Sequence, residues 1–202
     1  GDGIIDESDK CPGIKGPVDN FGCPYQDTDN DSIPDKDDDC PSIAGKAVFK
    51  GCPDTDGDGI SDKIDMCPTI AGSPANNGCP EIKKEEQAIL DKAFSNLEFE
   101  TGKSTIRATS FSSLDQLAGV LKNRPEFKLA LEGHTDNVGN PQSNLNLSKN
   151  RTLAVKNYLV KKGIDAGRIK AEWYGQTKPV APNNTTEGRE KNRRVEMKIF
   201  FE

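Results

Sequence analysis

Residues 1–80 repeat one arrangement of aspartates and cysteines, and this repeat constrains the fold more than any other feature of the chain. Aspartates recur at positions 1, 3, 5, 9 and 12 of the unit, and a cysteine follows at position 14. The arrangement is complete in DTDNDSIPDKDDDC and DTDGDGISDKIDMC, which begin at residues 27 and 54, and truncated in DGIIDESDKC, from residue 2. Such a segment has little apolar core, so ions and cross-links are expected to stabilise it.

The spacing of these acids is typical of loops that bind calcium through oxygen ligands. Gly3 and Gly59 follow the third acid and permit the sharp turn of such a loop, whereas the middle unit has Ser32 there. An EF-hand is not expected, because proline and glycine stand where its flanking helices would be. A solvated acidic linker is the alternative, but it leaves the fixed offsets unexplained. The candidate Ca²⁺ ligands are Asp2, Asp6, Asp9, Asp27, Asp29, Asp31, Asp35, Asp38, Asp54, Asp56, Asp58, Asp62 and Asp65, with the backbone carbonyls of Ile33 and Ile60.

All six cysteines lie in this acidic segment, and each precedes a proline. An even number of cysteines in a segment with little core argues for disulfides and an oxidising compartment. Zinc is the alternative, but zinc sites usually use close C-x2-C pairs with histidine, and neither occurs here. Six cysteines allow 15 pairings, of which the repeat favours those within a unit: Cys11–Cys23, Cys40–Cys52 and Cys67–Cys79.

Residues 1–80 resemble thrombospondin type 3 repeats, because the acids and the cysteines agree together. The resemblance implies aspartate-bound calcium ions and little regular secondary structure. The charge then changes sign along the chain: residues 1–80 hold 17 acidic and 6 basic residues, whereas residues 81–202 hold 16 and 21. We therefore predict two domains, residues 1–80 and residues 84–202.

The ends of the chain also carry information. No apolar run approaches the roughly 20 residues of a membrane-spanning helix, and no signal peptide is visible. Because the chain opens within a repeat, we expect a fragment whose export signal or membrane anchor lies upstream.

Residues 84–202 alternate helical and strand patterns. A short helix runs into a strand at Leu97 and Phe99, and an amphipathic helix ends before Pro125. EFKLALEGH is a half-buried strand, the next helix ends at Gly163, and RIKAEWYG and RRVEMKIFF are the last strands. The order β-α-β-α-β-β predicts an α/β sandwich in which helices pack on a mixed sheet.

Arg151 lies on the apolar face of the helix that follows Asp136. A buried guanidinium needs an acid or a cleft, and Asp136 at a strand end is the obvious acid. One interpretation is a salt bridge between the two that holds loop to helix. The other is a pair of opposite charges that binds a ligand's ammonium at Asp136 and its carboxylate at Arg151.

EGHTDNVGN…NLNLSKNRTLAVKNYL, with FETGKSTI upstream and EGREKNRRVE downstream, resembles the C-terminal domain of the outer membrane protein A (OmpA) family over roughly residues 84–202. The resemblance implies non-covalent binding of peptidoglycan through the diaminopimelate of its stem peptide. It also implies a periplasmic location in a Gram-negative bacterium, an upstream outer-membrane β-barrel, and a tether whose repeats act as a spacer. The residues that match the family's binding positions are Asp136, Arg151, Asn144, Thr101, Gly102 and Arg193; Arg194 is expected to be structural.

Three other functions are alternatives for such a chain. The repeats could be a calcium-dependent adhesion module, which is the main alternative to a spacer. An enzyme is not expected, because His134 is the only histidine and is more simply a structural hydrogen-bonding residue. Nucleic-acid binding is not expected either, because the basic residues are scattered and no recognition motif occurs. Contact of this segment with a membrane is not expected, and its oligomeric state is left open.

Overall fold

The computed structural model describes residues 3–5 and 7–202, which fall into two compact units, residues 1–81 and 82–202. The described residues of the N-terminal unit form no α-helix or β-strand. Its only regular elements there are three 3-10 turns, Val18–Asn20, Ala47–Phe49 and Pro74–Asn76. Each turn ends at a left-handed residue: Phe21, Lys50 or Asn77. The predicted irregular repeat region is therefore confirmed.

Disulfides and glycines determine how each repeat closes on itself. The three disulfides are Cys11–Cys23, Cys40–Cys52 and Cys67–Cys79, the pairing within units that the repeat favours. At Gly45, an added Cβ would lie 2.1 Å from the carbonyl carbon of Cys52. Gly16 and Gly72 make the same approach to Cys23 and Cys79. Only glycine permits this contact between backbones, a constraint that the spacing of acids and cysteines did not indicate.

The C-terminal unit consists of four α-helices and one three-stranded sheet. The helices are α1 (Lys84–Ser95), α2 (Phe111–Asn123), α3 (Pro141–Lys161) and α4 (Thr186–Asn192). The strands are β1 (Lys128–His134), β2 (Ile169–Gly175) and β3 (Val195–Phe200). β1 lies in the centre, parallel to β2 and antiparallel to β3. The prediction of a mixed sheet with helices packed on it is therefore confirmed.

Two details differ from the sequence prediction. The strand expected at Leu97 and Phe99 is only an isolated bridge between Phe99 and Ile106, and the turn between these two residues reaches Arg151. Helix α4 was not predicted, because it is short and carries no apolar periodicity. Its start is defined instead by Thr185, whose hydroxyl oxygen accepts a hydrogen bond from the N–H of Gly188.

The core lies between the helices and one face of the sheet. Phe127, Leu129 and Leu131 have no exposed surface and pack with Leu114 of α2 and Val155 of α3. Alternation along β1 directs the residues between them to the opposite face. Every second residue of the central strand is therefore committed to the core, and the remaining ones are available for polar chemistry.

Gly133 is the point at which β1 and α3 approach most closely. An added Cβ there would lie 2.2 Å from Thr152 Oγ1 and 2.6 Å from the carbonyl oxygen of Ser148.

We expect Gly133→Ala to reduce the free energy of unfolding by about 1–3 kcal/mol or more, because helix backbone would have to move. Urea unfolding followed by the fluorescence of Trp173, the only tryptophan, measures it. The matched control is Gly119→Ala in α2, where the new methyl meets nothing and should stabilise by up to about 1 kcal/mol; equal effects of the two changes would contradict the expectation.

Candidate functional site

The topology of the sheet brings polar residues to one edge of the C-terminal unit. The parallel strands β1 and β2 end at this edge, and the antiparallel strand β3 begins there. The segment after β1, the first turns of α3 and the residues before β3 therefore meet. They line a cleft of about 1210 Å³ that includes all six residues predicted to bind peptidoglycan: Asp136, Arg151, Asn144, Thr101, Gly102 and Arg193.

Asp136 forms the acidic side of the cleft and is only 8% exposed. Its Oδ1 accepts a hydrogen bond from the N–H of Val138 at 3.0 Å, which closes a tight turn after the strand. Its Oδ2 accepts one from Nη1 of Arg193 at 2.8 Å. The Arg193 side chain is 42% exposed, so this ion pair lies at the cleft surface and is open to exchange.

Arg151 forms the basic side of the cleft and is also only 8% exposed. Its Nε donates to the carbonyl oxygen of Lys103 at 3.0 Å, and its guanidinium carbon lies 5.0 Å from the centre of the Phe99 ring. Within the described residues, no carboxylate lies within 4.0 Å of Arg151, and neither Nη atom donates to a protein acceptor. Burial lowers the pKa of Arg151, the positive charge of Arg193 lowers it further, and Asp136 offsets part of this.

These contacts contradict one of the two interpretations of the sequence. A direct salt bridge between Asp136 and Arg151 is wrong, because Asp136 pairs with Arg193 instead. Arg151 is a buried cation beside an aromatic ring and a carbonyl, and in the described part of the chain it has no carboxylate within 4.0 Å. Burying such a charge is costly, and an anionic ligand would compensate for that cost. Arg194 also lines the cleft, but its Nε donates to Glu196 at 2.7 Å.

The remaining cleft residues have different roles. Asn144 is buried, and its Nδ2 donates to the carbonyl oxygens of Asp136 and Val138 at 3.2 and 3.1 Å. The same amide donates to Gln176 Oε1 at 2.9 Å, so Asn144 positions the segment that carries Asp136. Thr101 and Gly102 lie in an exposed turn, where Gly102 has a φ of +67°. That turn presents backbone groups to the cleft beside the Lys103 carbonyl that holds Arg151.

Apolar side chains on the cleft wall were not predicted from the sequence. Val138 and Val180 line the cleft and are 63% and 60% exposed. Leu147 and Phe99 line it as well, and the Phe99 ring lies beside the guanidinium of Arg151. Exposed valines in turns carry no periodic signal, so only their position beside the charged pair marks them. The cleft thus offers opposite charges in an apolar surround, which suits a ligand with an ammonium, a carboxylate and short alkyl groups.

His134 does not line this cleft. It is 1% exposed and stacks on Tyr174 with ring centres 5.4 Å apart. Burial lowers its pKa to about 4, with the charge of Arg194 as the next cause. Within the described residues neither ring nitrogen has a hydrogen-bond partner, so the expectation of a structural hydrogen-bonding histidine is wrong.

The described residues of the N-terminal unit hold two carboxylate clusters. In each, three aspartates place one oxygen apiece within 4.8 Å of the others: Asp27, Asp29 and Asp31 in one, Asp54, Asp56 and Asp58 in the other. Burial raises the pKa of Asp29, and the negative charges of Asp31, Asp38 and Asp27 raise it further. Burial likewise raises the pKa of Asp56, and the negative charges of Asp58, Asp65 and Asp54 raise it further. The fourth acid therefore faces the same cluster from position 12 of the unit.

Unpaired oxygens in these clusters fit a bound cation. Oδ2 of Asp29, Asp38, Asp56 and Asp65 is buried and accepts no hydrogen bond within the described part of the chain. Buried carboxylate oxygens without donors are costly, and hard oxygen ligands of this kind suit calcium. The donor set present therefore fits Ca²⁺.

The other predicted ligands are engaged in closing the loops. Asp35 accepts both the N–H and the hydroxyl of Thr28 at 2.8 Å, and Asp62 makes the matching pair with Thr55. Asp9 Oδ1 accepts the N–H of Cys11 at 2.7 Å. Ile33 and Ile60 donate their N–H groups to Asp31 and Asp58. Asp2 and Asp6 lie outside the described residues.

Comparison with known proteins assigns both units. Residues 98–193 match the OmpA family, and residues 22–47 and 52–73 match the thrombospondin type 3 repeat. The chain carries an OmpA-like domain preceded by thrombospondin type 3 repeats. The sequence resemblances are therefore confirmed.

Three relatives of the OmpA-like domain illustrate its range. Outer membrane porin F of Pseudomonas aeruginosa is 40% identical over 108 residues, 53% of this chain and 31% of the relative. Outer membrane protein A of Bordetella avium is 42% identical over 101 residues, 50% and 52%. Peptidoglycan-binding protein ArfA of Mycobacterium tuberculosis is 39% identical over 98 residues, 48% and 30%. The chain thus spans about half or less of the length of each of these relatives.

No helix in its described part has both the length and the apolar character needed to cross a bilayer.

Proposed function

We propose that the OmpA-like domain binds peptidoglycan non-covalently, through the diaminopimelate of the stem peptide. One observation carries the proposal: among the described residues, the buried guanidinium of Arg151 has no carboxylate within 4.0 Å, although it shares the cleft with the buried carboxylate of Asp136. Diaminopimelate carries an ammonium and a carboxylate on one carbon, which is the charge pattern that this cleft complements. ArfA, named for binding peptidoglycan, supports the ligand class.

Each side chain has a definite task in this mechanism. Arg151 donates its two Nη groups to the ligand's carboxylate in a two-pronged geometry, while Lys103 and Phe99 hold it in place. Asp136 accepts from the ligand's ammonium, and the exposed Arg193 moves toward the incoming carboxylate. Asn144 keeps the Asp136 turn in position. Binding is reversible recognition, without a chemical step.

The repeats are proposed to bind calcium and to form a spacer stabilised by disulfides. In each complete repeat, the buried unpaired oxygens at positions 3 and 12 would coordinate the ion with the neighbouring acids of the cluster. The ion would neutralise carboxylates that otherwise repel one another. Together the two units would tether an envelope component to the cell wall from the periplasm, as part of an outer-membrane protein.

Co-sedimentation with insoluble diaminopimelate-type peptidoglycan tests the cleft. We expect Arg151→Ala and Asp136→Ala each to weaken binding about 10- to 100-fold, because each leaves one charge of the ligand desolvated and unpaired. Free diaminopimelate should release the wild-type protein, and cadaverine, the same diamine chain without either carboxylate, should not. The control is Lys161→Ala, which removes an exposed positive charge from the last turn of the same helix. If both cleft variants sediment like Lys161→Ala, the proposal is wrong.

A further inference from the structure

We propose that Glu132, His134 and Glu196 form a binding site for one divalent transition-metal ion, best suited to Zn²⁺. The site lies on the sheet of the OmpA-like domain, outside the peptidoglycan cleft, and is independent of the function proposed above. No residue of the acidic repeats takes part in it.

Strand register brings the three side chains together. Glu132 and His134 are two residues apart on β1 and therefore project from the same face of the sheet. Glu196 is the direct partner of Glu132 in the antiparallel pairing of β1 with β3. Because Gly133 faces Thr152 of α3, these three residues lie on the face opposite that helix.

The distances suit a metal ion. Nε2 of His134 lies 4.0 Å from an oxygen of Glu132 and 4.0 Å from an oxygen of Glu196. All three ligand atoms lie within 4.8 Å of one another. A tetrahedral zinc ion with bonds of about 2.1 Å holds its ligands roughly 3.4 Å apart, so small rotations of two half-buried glutamates complete the geometry.

The unpaired state of His134 points to a ligand rather than to an ordinary salt-bridge cluster. The ring is 1% exposed, and neither nitrogen has a hydrogen-bond partner in the described part of the chain. Buried polar atoms normally find partners, so such a ring needs an explanation. Glu132 is the second unpaired group, since within the described residues no lysine or arginine nitrogen lies within 4.0 Å of its carboxylate.

Neighbouring charges restrict how the third ligand binds. Arg194 donates to Oε1 of Glu196, and Lys198 lies 3.5 Å from Oε2. Oε1, the oxygen that lies 4.0 Å from Nε2 of His134, is the same oxygen that accepts from Arg194, so zinc would share it with the arginine, which also orients the ligand. Imidazole nitrogen favours zinc, copper or nickel over calcium and magnesium, so the site differs in preference from the all-oxygen clusters of the repeats.

The single histidine makes a direct test possible in the full chain. With calcium in excess to saturate the repeats, zinc is titrated while the ring protons of His134 are followed by NMR. Only one histidine occurs in the sequence, so its signals need no further assignment. We expect them to move to a new position that saturates at about one equivalent of zinc, and magnesium to leave them in place.

Two isosteric variants test whether zinc binds at this site or is attracted to any acidic residue of the sheet. Glu132→Gln should weaken zinc binding at least about tenfold, because it removes an anionic ligand. Glu172→Gln changes the β2 residue paired with Glu132, outside the three-residue group, and should titrate like the wild type. Unfolding curves from Trp173 fluorescence confirm that both variants fold. Unmoved His134 signals, or equal affinities in the two variants, would overturn the proposal.

Discussion

Chelation of calcium together with reduction of the disulfides is expected to unfold residues 3–81 and to leave residues 82–202 folded. The N-terminal unit depends on groups that these treatments remove. Its described residues contain no strand or α-helix, and the exposed apolar side chains include Val18, Val48 and Ile64. Each disulfide joins residues 12 apart and contributes roughly 2–3 kcal/mol by restricting the unfolded chain. The C-terminal unit has its own core and contains no cysteine.

The two treatments should act in sequence. Chelation alone leaves buried carboxylates such as Asp29 and Asp38 facing one another, so the loops around them should open first. The disulfides still close each repeat at that stage, and reduction then releases the chain. Limited proteolysis with mass-spectrometric mapping follows the repeats, and Trp173 fluorescence follows the OmpA-like domain. Unchanged protease resistance of the repeats after both treatments would exclude the proposed role of calcium.

A matched pair of variants tests the cluster itself. Asp29→Asn removes the negative charge of a carboxylate whose Oδ2 is buried and without a hydrogen-bond donor among the described residues. It should raise the calcium concentration needed to protect the repeats from proteolysis at least about tenfold. Asp37→Asn removes an exposed charge whose salt-bridge partner is Lys36, and should change little.

If the protein with unfolded repeats still co-sediments with peptidoglycan, the repeats are a spacer. Loss of wall binding on chelation would instead favour a binding role for the repeats.

Features that depend on local spacing could be predicted from the sequence. The repeat placed the acids and cysteines in register because the contacts that close each unit are local, such as Cys40–Cys52 at a separation of 12 residues and Asp31 with Gly45 at 14. Alternation along β1 predicted its buried face because a strand has a fixed period. Helix geometry placed Arg151 on the buried side of α3 for the same reason.

Features that depend on contacts between residues far apart in the sequence could not be predicted in this way. Asp136 pairs with Arg193, 57 residues away, because β3 begins where β1 ends. Sequence spacing suggested Arg151 instead, the nearer cation on the adjacent helix. Helix α4 was missed because a short polar helix has no hydrophobic period. Whether His134 has a hydrogen-bond partner depends on the groups of β2 and β3 that surround it. The sequence next to His134 does not indicate which groups these are.

Acid destabilisation of the OmpA-like domain should depend strongly on His134. Burial and the charge of Arg194 lower its pKa from 6.5 to about 4 in the folded protein. Between these values the unfolded chain binds a proton that the folded chain does not, so stability falls as the pH falls through this range. Each pH unit below 6.5 costs about 1.4 kcal/mol, and the full effect is roughly 3 kcal/mol once the pH is below 4.

The variant His134→Gln isolates this contribution, because glutamine is neutral throughout. The carboxylates that also titrate in this range are shared by both proteins, so their effect cancels in the difference. Urea unfolding followed by Trp173 fluorescence, in zinc-free buffer with calcium, gives the free energy of unfolding at each pH. We expect the wild type to lose about 2 kcal/mol more than the variant between pH 7 and pH 5. Parallel pH profiles would show that folding does not lower the pKa of His134. A wild type that gains stability relative to the variant as the pH falls would show a ring that is protonated beside Glu132 or Glu196, whose oxygens lie 4.0 Å from its Nε2. The pH profile therefore distinguishes a neutral buried ring, available to a metal ion, from an ordinary buried ion pair.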